Sequence, residues 1–244
     1  MDPTSALDRR RALSALGAAA LCPLVGGPVS ARPAEPARPG HSPSLGPGEA
    51  WRLLRKGNEY WVGDRLRHPD QSSAHRHRLA EAQHPFAVVV TCIDSRLSPE
   101  IVFDQGIGDL FVVRTGAHTL DDLVTGSIEY GPLQDGTPLI VVLGHQRCGA
   151  VSAAVSALDG GRRAPGHLAD VVEALRPAVT EARRAGGDLV EATVRAQITR
   201  TVAVLEHDPA LASRVGSGRL GLVGAYYELG TGRLNVLRTK GFTP

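Results

Sequence analysis

Two short apolar runs, each followed by a potential metal ligand, constrain most strongly what this chain can fold into. Residues 86–91 read FAVVVT and residues 138–143 read PLIVVL. Runs of this length, rich in β-branched residues, are typical of strands buried on both faces of a parallel sheet. The first run is followed by Cys92 and the second by Gly144 and His145. Because ligands bind outside the carboxyl ends of parallel strands, we expect these side chains to share one edge of the sheet.

The same patterns predict the elements around these two runs. Helices are predicted at 48–63, 73–82, 99–104, 124–134, 148–158, 166–185 and 188–206, and strands at 86–92, 110–115, 138–143, 219–226 and 233–238. Strands that alternate with helices indicate an α/β fold with a mostly parallel central sheet flanked by helices. The last two strands are joined by a glycine-rich turn, which predicts a hairpin that adds an antiparallel edge strand.

Two short motifs supply sulfur, imidazole, carboxylate and guanidinium groups. They read CIDSR at 92–96 and HQRC at 145–148. Two thiolates and one imidazole leave one tetrahedral position open, as in catalytic zinc sites, whereas structural sites are closed by four protein ligands. We therefore predict that Cys92, His145 and Cys148 bind Zn²⁺. A buried cysteine without a ligand role is the alternative for each residue taken alone, but the combination favours the metal.

At these residues the chain resembles the β-class carbonic anhydrases, whose hallmarks are Cys-x-Asp-x-Arg and His-x-x-Cys. Further segments resemble that family in the right order, so that the resemblance covers about residues 48–240; they lie at 57–61, 83–86, 111–114 and 126–130. The resemblance implies the β-carbonic anhydrase fold and the zinc-dependent, reversible hydration of carbon dioxide to bicarbonate and a proton. In this reaction a zinc-bound water is deprotonated near neutral pH and attacks the substrate as hydroxide.

The resemblance also implies roles for five further residues. Asp94 accepts a hydrogen bond from the zinc-bound hydroxide and Arg96 holds Asp94 in place; released from Arg96, Asp94 becomes an alternative fourth zinc ligand. Gln83 hydrogen-bonds substrate or bicarbonate, often across a dimer interface, and Phe111 and Tyr130 form an apolar pocket for carbon dioxide. The alternatives are a surface ion pair of little energetic value for Asp94 and Arg96, and simple core packing for the two aromatic residues.

Three positions bear on how closely the site follows the family. Gly116 stands where plant-type members typically carry valine, so the pocket is either wider or filled from elsewhere. Val89 stands where the subgroup with an inhibitory, non-catalytic bicarbonate site carries tryptophan, which argues against that form of regulation. His118 is predicted in a loop near the pocket and is a candidate proton relay, because imidazole titrates near neutral pH.

The amino-terminal segment is separable from this domain. Three arginines at 9–11 precede an apolar, alanine-rich stretch at 12–25 that is too short to span a bilayer as a stable helix. This pattern predicts an export signal peptide over residues 1–31, of the twin-arginine type, and hence a periplasmic or extracellular protein. Residues 32–47, rich in proline and glycine, predict a flexible leader, and the carbonic anhydrase domain is expected over 48–244.

Charge and hydropathy bear on the expected partners. The formal net charge of +2 falls when the arginine-rich start is removed, and no sustained basic stripe remains, so nucleic-acid binding is disfavoured. No second apolar run reaches transmembrane length, so no stable membrane insertion is expected after signal removal. The first helix carries Trp51, Leu54 and Trp61, which need a partner surface. In the family this helix lies across a neighbouring subunit, so the resemblance implies a homodimer or a tetramer of dimers.

Two alternative functions remain open on the sequence. Relatives with the same fold and zinc site hydrolyse carbonyl sulfide or carbon disulfide, and attack on a linear molecule of this type is shared chemistry. A non-catalytic zinc-binding protein is the other alternative. The intact Asp94 and Arg96 argue against it.

Overall fold

A computed structural model describes residues 45–161 and 163–243. The predicted signal peptide at 1–31 and nearly all of the predicted leader at 32–47 lie outside the described residues, so both stay predictions. In the described part of the chain, no helix is long and apolar enough to cross a membrane.

Within the described residues, five strands form one sheet in the order β2-β1-β3-β4-β5. They are β1 (Ala87–Cys92), β2 (Leu110–Thr115), β3 (Leu139–His145), β4 (Gly221–Tyr227) and β5 (Leu234–Lys240). The first four are parallel, and β5 pairs antiparallel with β4. Every residue of β1, β3 and β4 is buried, which accounts for their nearly continuous apolar runs. The predicted α/β fold, with a mostly parallel sheet and an antiparallel edge strand, is confirmed.

Helices cover both faces of this sheet. They are α1 (Pro47–Val62), α2 (Ser73–Leu79), α3 (Pro99–Val102), α4 (Asp122–Tyr130), α5 (Gly149–Gly160), α6 (Leu168–Ala185), α7 (Leu189–Glu206) and α8 (Ala212–Gly216). One buried apolar cluster joins the sheet to α5, α6 and α7, and a second joins its other face to α1 and α3. The short α8 has no counterpart among the predicted helices, because five residues are too few to show an apolar periodicity.

Two boundaries differ from the prediction for identifiable reasons. Helix α4 begins at Asp122 because the Asp121 side chain accepts a hydrogen bond from the Val124 amide at 2.8 Å and caps the first turn. Strand β3 extends to His145. The predicted ligand is therefore the last residue of the strand, which fixes its direction more firmly than a loop position would.

The apolar face of α1 finds its partner surface within the chain. Trp51 and Leu54 are buried in one cluster with Phe103 and Tyr227. Close packing depends on Gly57, since a Cβ added there would lie 1.6 Å from the Phe103 carbonyl oxygen. Trp51 and Leu54 are therefore covered within the chain, and the dimer that the resemblance implies stays a prediction.

Candidate metal centre

The structure brings Cys92, His145 and Cys148 together at one edge of the sheet. Cys92 ends β1 and His145 ends the adjacent parallel strand β3, whereas Cys148 is the residue immediately before α5. All three are buried, and their ligand atoms lie within 4.8 Å of one another. Strand pairing thus places ligands that are far apart in sequence at coordination distance.

The geometry of this cluster fits a tetrahedral zinc ion. The two sulfur atoms are 3.9 Å apart, and two sulfurs bound at about 2.3 Å to a tetrahedral zinc would be about 3.8 Å apart. The Nδ1 atom of His145 donates to the Gln146 carbonyl oxygen at 2.9 Å, which leaves the lone pair on Nε2. That nitrogen is buried and has no hydrogen-bond partner among the described residues. A buried, unpaired nitrogen oriented by a backbone carbonyl is the usual state of a zinc-binding histidine.

Three residues around the ligands adopt left-handed backbone conformations. Arg147, with φ 51°, lies between His145 and Cys148 and turns the chain so that both side chains face the same point. Ala117 and His118, with φ 53° and 47°, form a short 3₁₀ turn beside Cys92. This conformation costs non-glycine residues roughly 1–2 kcal/mol each. Such strain is typical of functional sites, where the surrounding packing enforces it.

The contact between the two thiols shifts their pKa values in opposite directions. A hydrogen bond from the Cys148 thiol lowers the pKa of Cys92, and the His145 ring and the Ala117 amide, 3.4 Å from the sulfur, contribute to the same effect. The same contact with Cys92 raises the pKa of Cys148, because a second thiolate would face the first. A divalent cation between the sulfurs removes this conflict, since it neutralises both thiolates.

The carboxylate of Asp94 lies beside the ligand set and is held by Arg96. Arg96 donates to it from Nε at 2.8 Å and from Nη2 at 2.7 Å, and the Arg96 backbone amide adds a third bond at 3.0 Å. These bonds hold the pKa of Asp94 well below its usual range. Its Oδ2 atom is 3.9 Å from His145 Nε2. The pair is therefore part of the centre rather than an isolated surface ion pair.

Arg114 is a further part of this centre and was not among the predicted site residues. From the adjacent strand β2, its side chain donates to the Cys92 carbonyl oxygen at 3.0 Å and to the Asp94 carbonyl oxygen at 2.7 Å. Arg96 also donates to the Arg147 carbonyl oxygen at 3.2 Å, which ties the two motifs together. The only feature of the sequence that pointed to this role is the position of Arg114, one residue before the end of the strand that pairs with β1.

The structure decides between the expectations for Gly116 and His118. A Cβ added at Gly116 would lie 3.3 Å from Val171 of α6 and 3.8 Å from Ala150 of α5, so the space is filled from elsewhere. His118 is buried, and burial lowers its pKa to about 4. A proton relay works best with a pKa near the operating pH. This buried environment argues against a proton relay at His118, which stays an untested prediction.

Gln83, Phe111 and Tyr130 lie toward the opposite end of β1 from the metal ligands. Gln83 is exposed and precedes β1, whose six residues span about 20 Å. Phe111 pairs with Val88 near the start of β1, and its ring packs edge-to-face on Tyr130 at 5.7 Å. Within one chain, these three side chains do not join the cysteine and histidine cluster.

Comparisons with known proteins converge on one family. A sequence profile described as carbonic anhydrase matches residues 87–234. Carbonic anhydrase 2 of Mycobacterium tuberculosis is 46% identical over 192 residues, which cover 78% of this chain and 93% of that protein. The carbonic anhydrase of Mycolicibacterium smegmatis is 43% identical over 195 residues, covering 80% of this chain and 95% of that protein.

Solved structures show the same likeness at the level of the fold. One of two tetrameric β-carbonic anhydrases from Sordaria macrospora superposes with a TM-score of 0.62 at 24% identity, covering 77% of this chain and 96% of that one. The β-carbonic anhydrase CafA of Aspergillus fumigatus gives a TM-score of 0.55 at 26% identity, covering 80% of this chain and 92% of that one.

Proposed function

The chain belongs to the β-class carbonic anhydrase family, and from that premise we propose that it catalyses the zinc-dependent, reversible hydration of carbon dioxide to bicarbonate and a proton. The observation that carries this proposal is the buried Cys92, His145 and Cys148 cluster, with its unpaired imidazole nitrogen, next to the Asp94–Arg96 pair. Zinc held by these three residues would lower the pKa of a coordinated water toward neutrality and so would supply hydroxide as the attacking group.

Asp94 orients this attacking group in the proposed reaction. Because its pKa is held low by Arg96, Asp94 remains a carboxylate and can only accept a hydrogen bond. An oxygen atom that donates a hydrogen bond to Asp94 is held with its lone pairs free to attack the carbon of the substrate. Arg96 engages both carboxylate oxygens, which keeps Asp94 from occupying the open coordination position itself.

A second copy of the chain completes the substrate pocket in this proposal. Gln83 is exposed and Tyr130 is 50% exposed. Leu123, which lies two turns before Tyr130 on the same side of α4, is 84% exposed. Apolar side chains this exposed, next to the residues that the family places around carbon dioxide, favour a homodimer, or a tetramer of dimers, in which each chain supplies them to the other's metal centre.

Complementation between one impaired and one inactive variant tests this arrangement. We expect Gln83→Ala to lose about tenfold in kcat/KM, the value of one hydrogen bond to substrate, and Cys148→Ala to be inactive. Co-assembly of the two variants should restore activity, because a mixed dimer contains one intact metal centre that faces one intact Gln83. The exposed Gln134→Ala is the matched control and should keep wild-type activity. Mixed dimers no more active than their parents would contradict a shared pocket.

We expect kcat/KM for carbon dioxide hydration to rise from neutral to alkaline pH. Two thiolates donate more charge to zinc than imidazoles do, so the attacking water loses its proton at higher pH than in a three-histidine site. Asp94 does not contribute to the rise, since its lowered pKa keeps it ionised throughout this range. Stopped-flow hydration by the zinc-loaded chain measures the profile, and a flat profile with zinc retained would contradict the assignment.

The same zinc-loaded preparation separates the proposed reaction from its alternative. Carbonyl sulfide and carbon disulfide are assayed in parallel with carbon dioxide, and we expect hydration of carbon dioxide to dominate. A higher kcat/KM for either sulfur compound would instead assign the chain to the hydrolases.

A further inference from the structure

A buried histidine that the proposed reaction does not use lies directly behind the metal ligands. The His118 ring is enclosed between β3 and α7: a Cβ added at Gly144 would lie 3.0 Å from His118 Nε2 and 2.6 Å from Ile198 of α7. Gly144 immediately precedes the ligand His145. A leucine or phenylalanine would fill such a space with less loss of hydration than an imidazole, so packing alone does not explain a histidine here.

A chain of buried polar groups fixes the orientation of this ring. Gln197 donates to the Thr201 hydroxyl oxygen at 3.3 Å, and that hydroxyl is 3.5 Å from His118 Nδ1. Burial lowers the pKa of His118 to about 4, so the ring is neutral and carries one proton. The Thr201 hydroxyl thus lies on the Nδ1 side of the ring and Gly144 on its Nε2 side.

His118 lies in the same strained turn as Ala117, whose backbone amide is hydrogen-bonded to the metal ligand Cys92. Ala117 and His118 are both left-handed, and the turn is closed by a bond from the Thr119 amide to the Gly116 carbonyl oxygen at 3.2 Å. In this conformation the Ala117 amide donates to Cys92 Sγ at 3.4 Å. Alanine does not favour left-handed backbone by itself, so a neighbouring anchor has to hold the turn.

We propose that His118 is a positioning residue: its ring, held between Gly144 and Thr201, keeps the Ala117 amide hydrogen-bonded to the Cys92 sulfur. That bond withdraws charge from the thiolate, and hydrogen bonds to ligand sulfurs tune a bound metal. A zinc ion bound there would therefore be a stronger Lewis acid than one bound by two thiolates without this hydrogen bond. The proposal rests on the proposed function of the site and assigns it an additional, buried determinant.

Cobalt substitution gives a direct readout of the amide–sulfur bond. A hydrogen bond lowers the energy of the sulfur lone pair, so the sulfur-to-cobalt charge-transfer band should shift to longer wavelength when the bond is lost. We expect this shift in His118→Ala and a smaller one in Thr201→Val. His118→Asn should lie between His118→Ala and wild type, because asparagine tolerates left-handed backbone. In the zinc forms, kcat/KM should fall about tenfold for His118→Ala.

Two controls make this test decisive. The exposed His167→Ala should leave both band and kcat/KM unchanged, and metal content is measured for every variant. Unshifted bands in fully loaded His118→Ala and Thr201→Val would show that His118 is only a packing residue; if His118→Ala does not fold, the band of Thr201→Val decides alone. Failure of the wild-type chain to bind cobalt would instead refute the metal centre itself, so the two failures are distinguishable.

Discussion

Cys148→Ala is expected to strip zinc from the chain and to abolish carbon dioxide hydration. Zinc-binding free energies of about 10–16 kcal/mol in small zinc domains are shared among the ligands, so loss of one costs about 3–4 kcal/mol, more than 10²-fold in affinity. No nearby group replaces the sulfur, because both Asp94 oxygens are engaged by Arg96. The variant also leaves the Cys92 thiol without the partner that lowers its pKa.

Elemental analysis after dialysis against a weak chelator measures this outcome. Wild-type protein should retain one zinc per chain and Cys148→Ala essentially none. Cys22→Ala, in the predicted signal peptide, is the matched cysteine control and should retain full zinc and full activity. Full occupancy in Cys148→Ala would remove the assigned ligand set.

Asp94→Asn and Arg96→Ala are expected to abolish most of the activity while zinc stays bound. Neither residue is needed to hold the metal, since the three ligand atoms converge without them. Asparagine offers an N–H group where the carboxylate accepts a hydrogen bond, and loss of Arg96 frees Asp94 to occupy the open position. Groups positioned to handle a proton contribute about 10²- to 10⁴-fold, and losses of this size are expected for both variants.

The exposed pair Glu173–Arg176 supplies a matched control for the ion pair. Arg176 also donates to both oxygens of one carboxylate, but it lies on the surface of α6, so Arg176→Ala should change neither activity nor zinc content. Arg96→Lys adds a second comparison: it keeps the charge but loses the two-pronged contact, and should recover little activity. Near wild-type rates in Asp94→Asn would show that the pair is only structural.

The strand pattern was sufficient to predict the edge at which the ligands meet. Continuous β-branched runs identify buried parallel strands, and in such a sheet the residues that follow adjacent strands converge. Cys92 and His145 therefore came together as expected, and Cys148 followed from its spacing to His145. These inferences depend only on local pattern and on the geometry common to parallel sheets.

Other features of the site depend on contacts that no local pattern records. Arg114 binds two backbone carbonyls only because β2 pairs beside β1. Ala117 and His118 are left-handed although neither is glycine, and the only glycine of the turn, Gly116, is not left-handed, so no residue type marks this conformation in the sequence. For α1, amphipathicity predicts a buried face but not whether the covering surface belongs to the same chain.

The long sequence separation between the ligands ties metal binding to native strand pairing. Cys92 and Cys148 are 56 residues apart, and their sulfurs approach each other only after β1 and β3 have paired in the native register. A register slip would separate the ligands or turn them to opposite faces of the sheet. Because zinc is bound tightly only by the correctly assembled chain, the ion selects that topology from competing collapsed forms. The fraction of chains that hold zinc therefore measures the fraction that has folded correctly, in addition to the fraction that can be active.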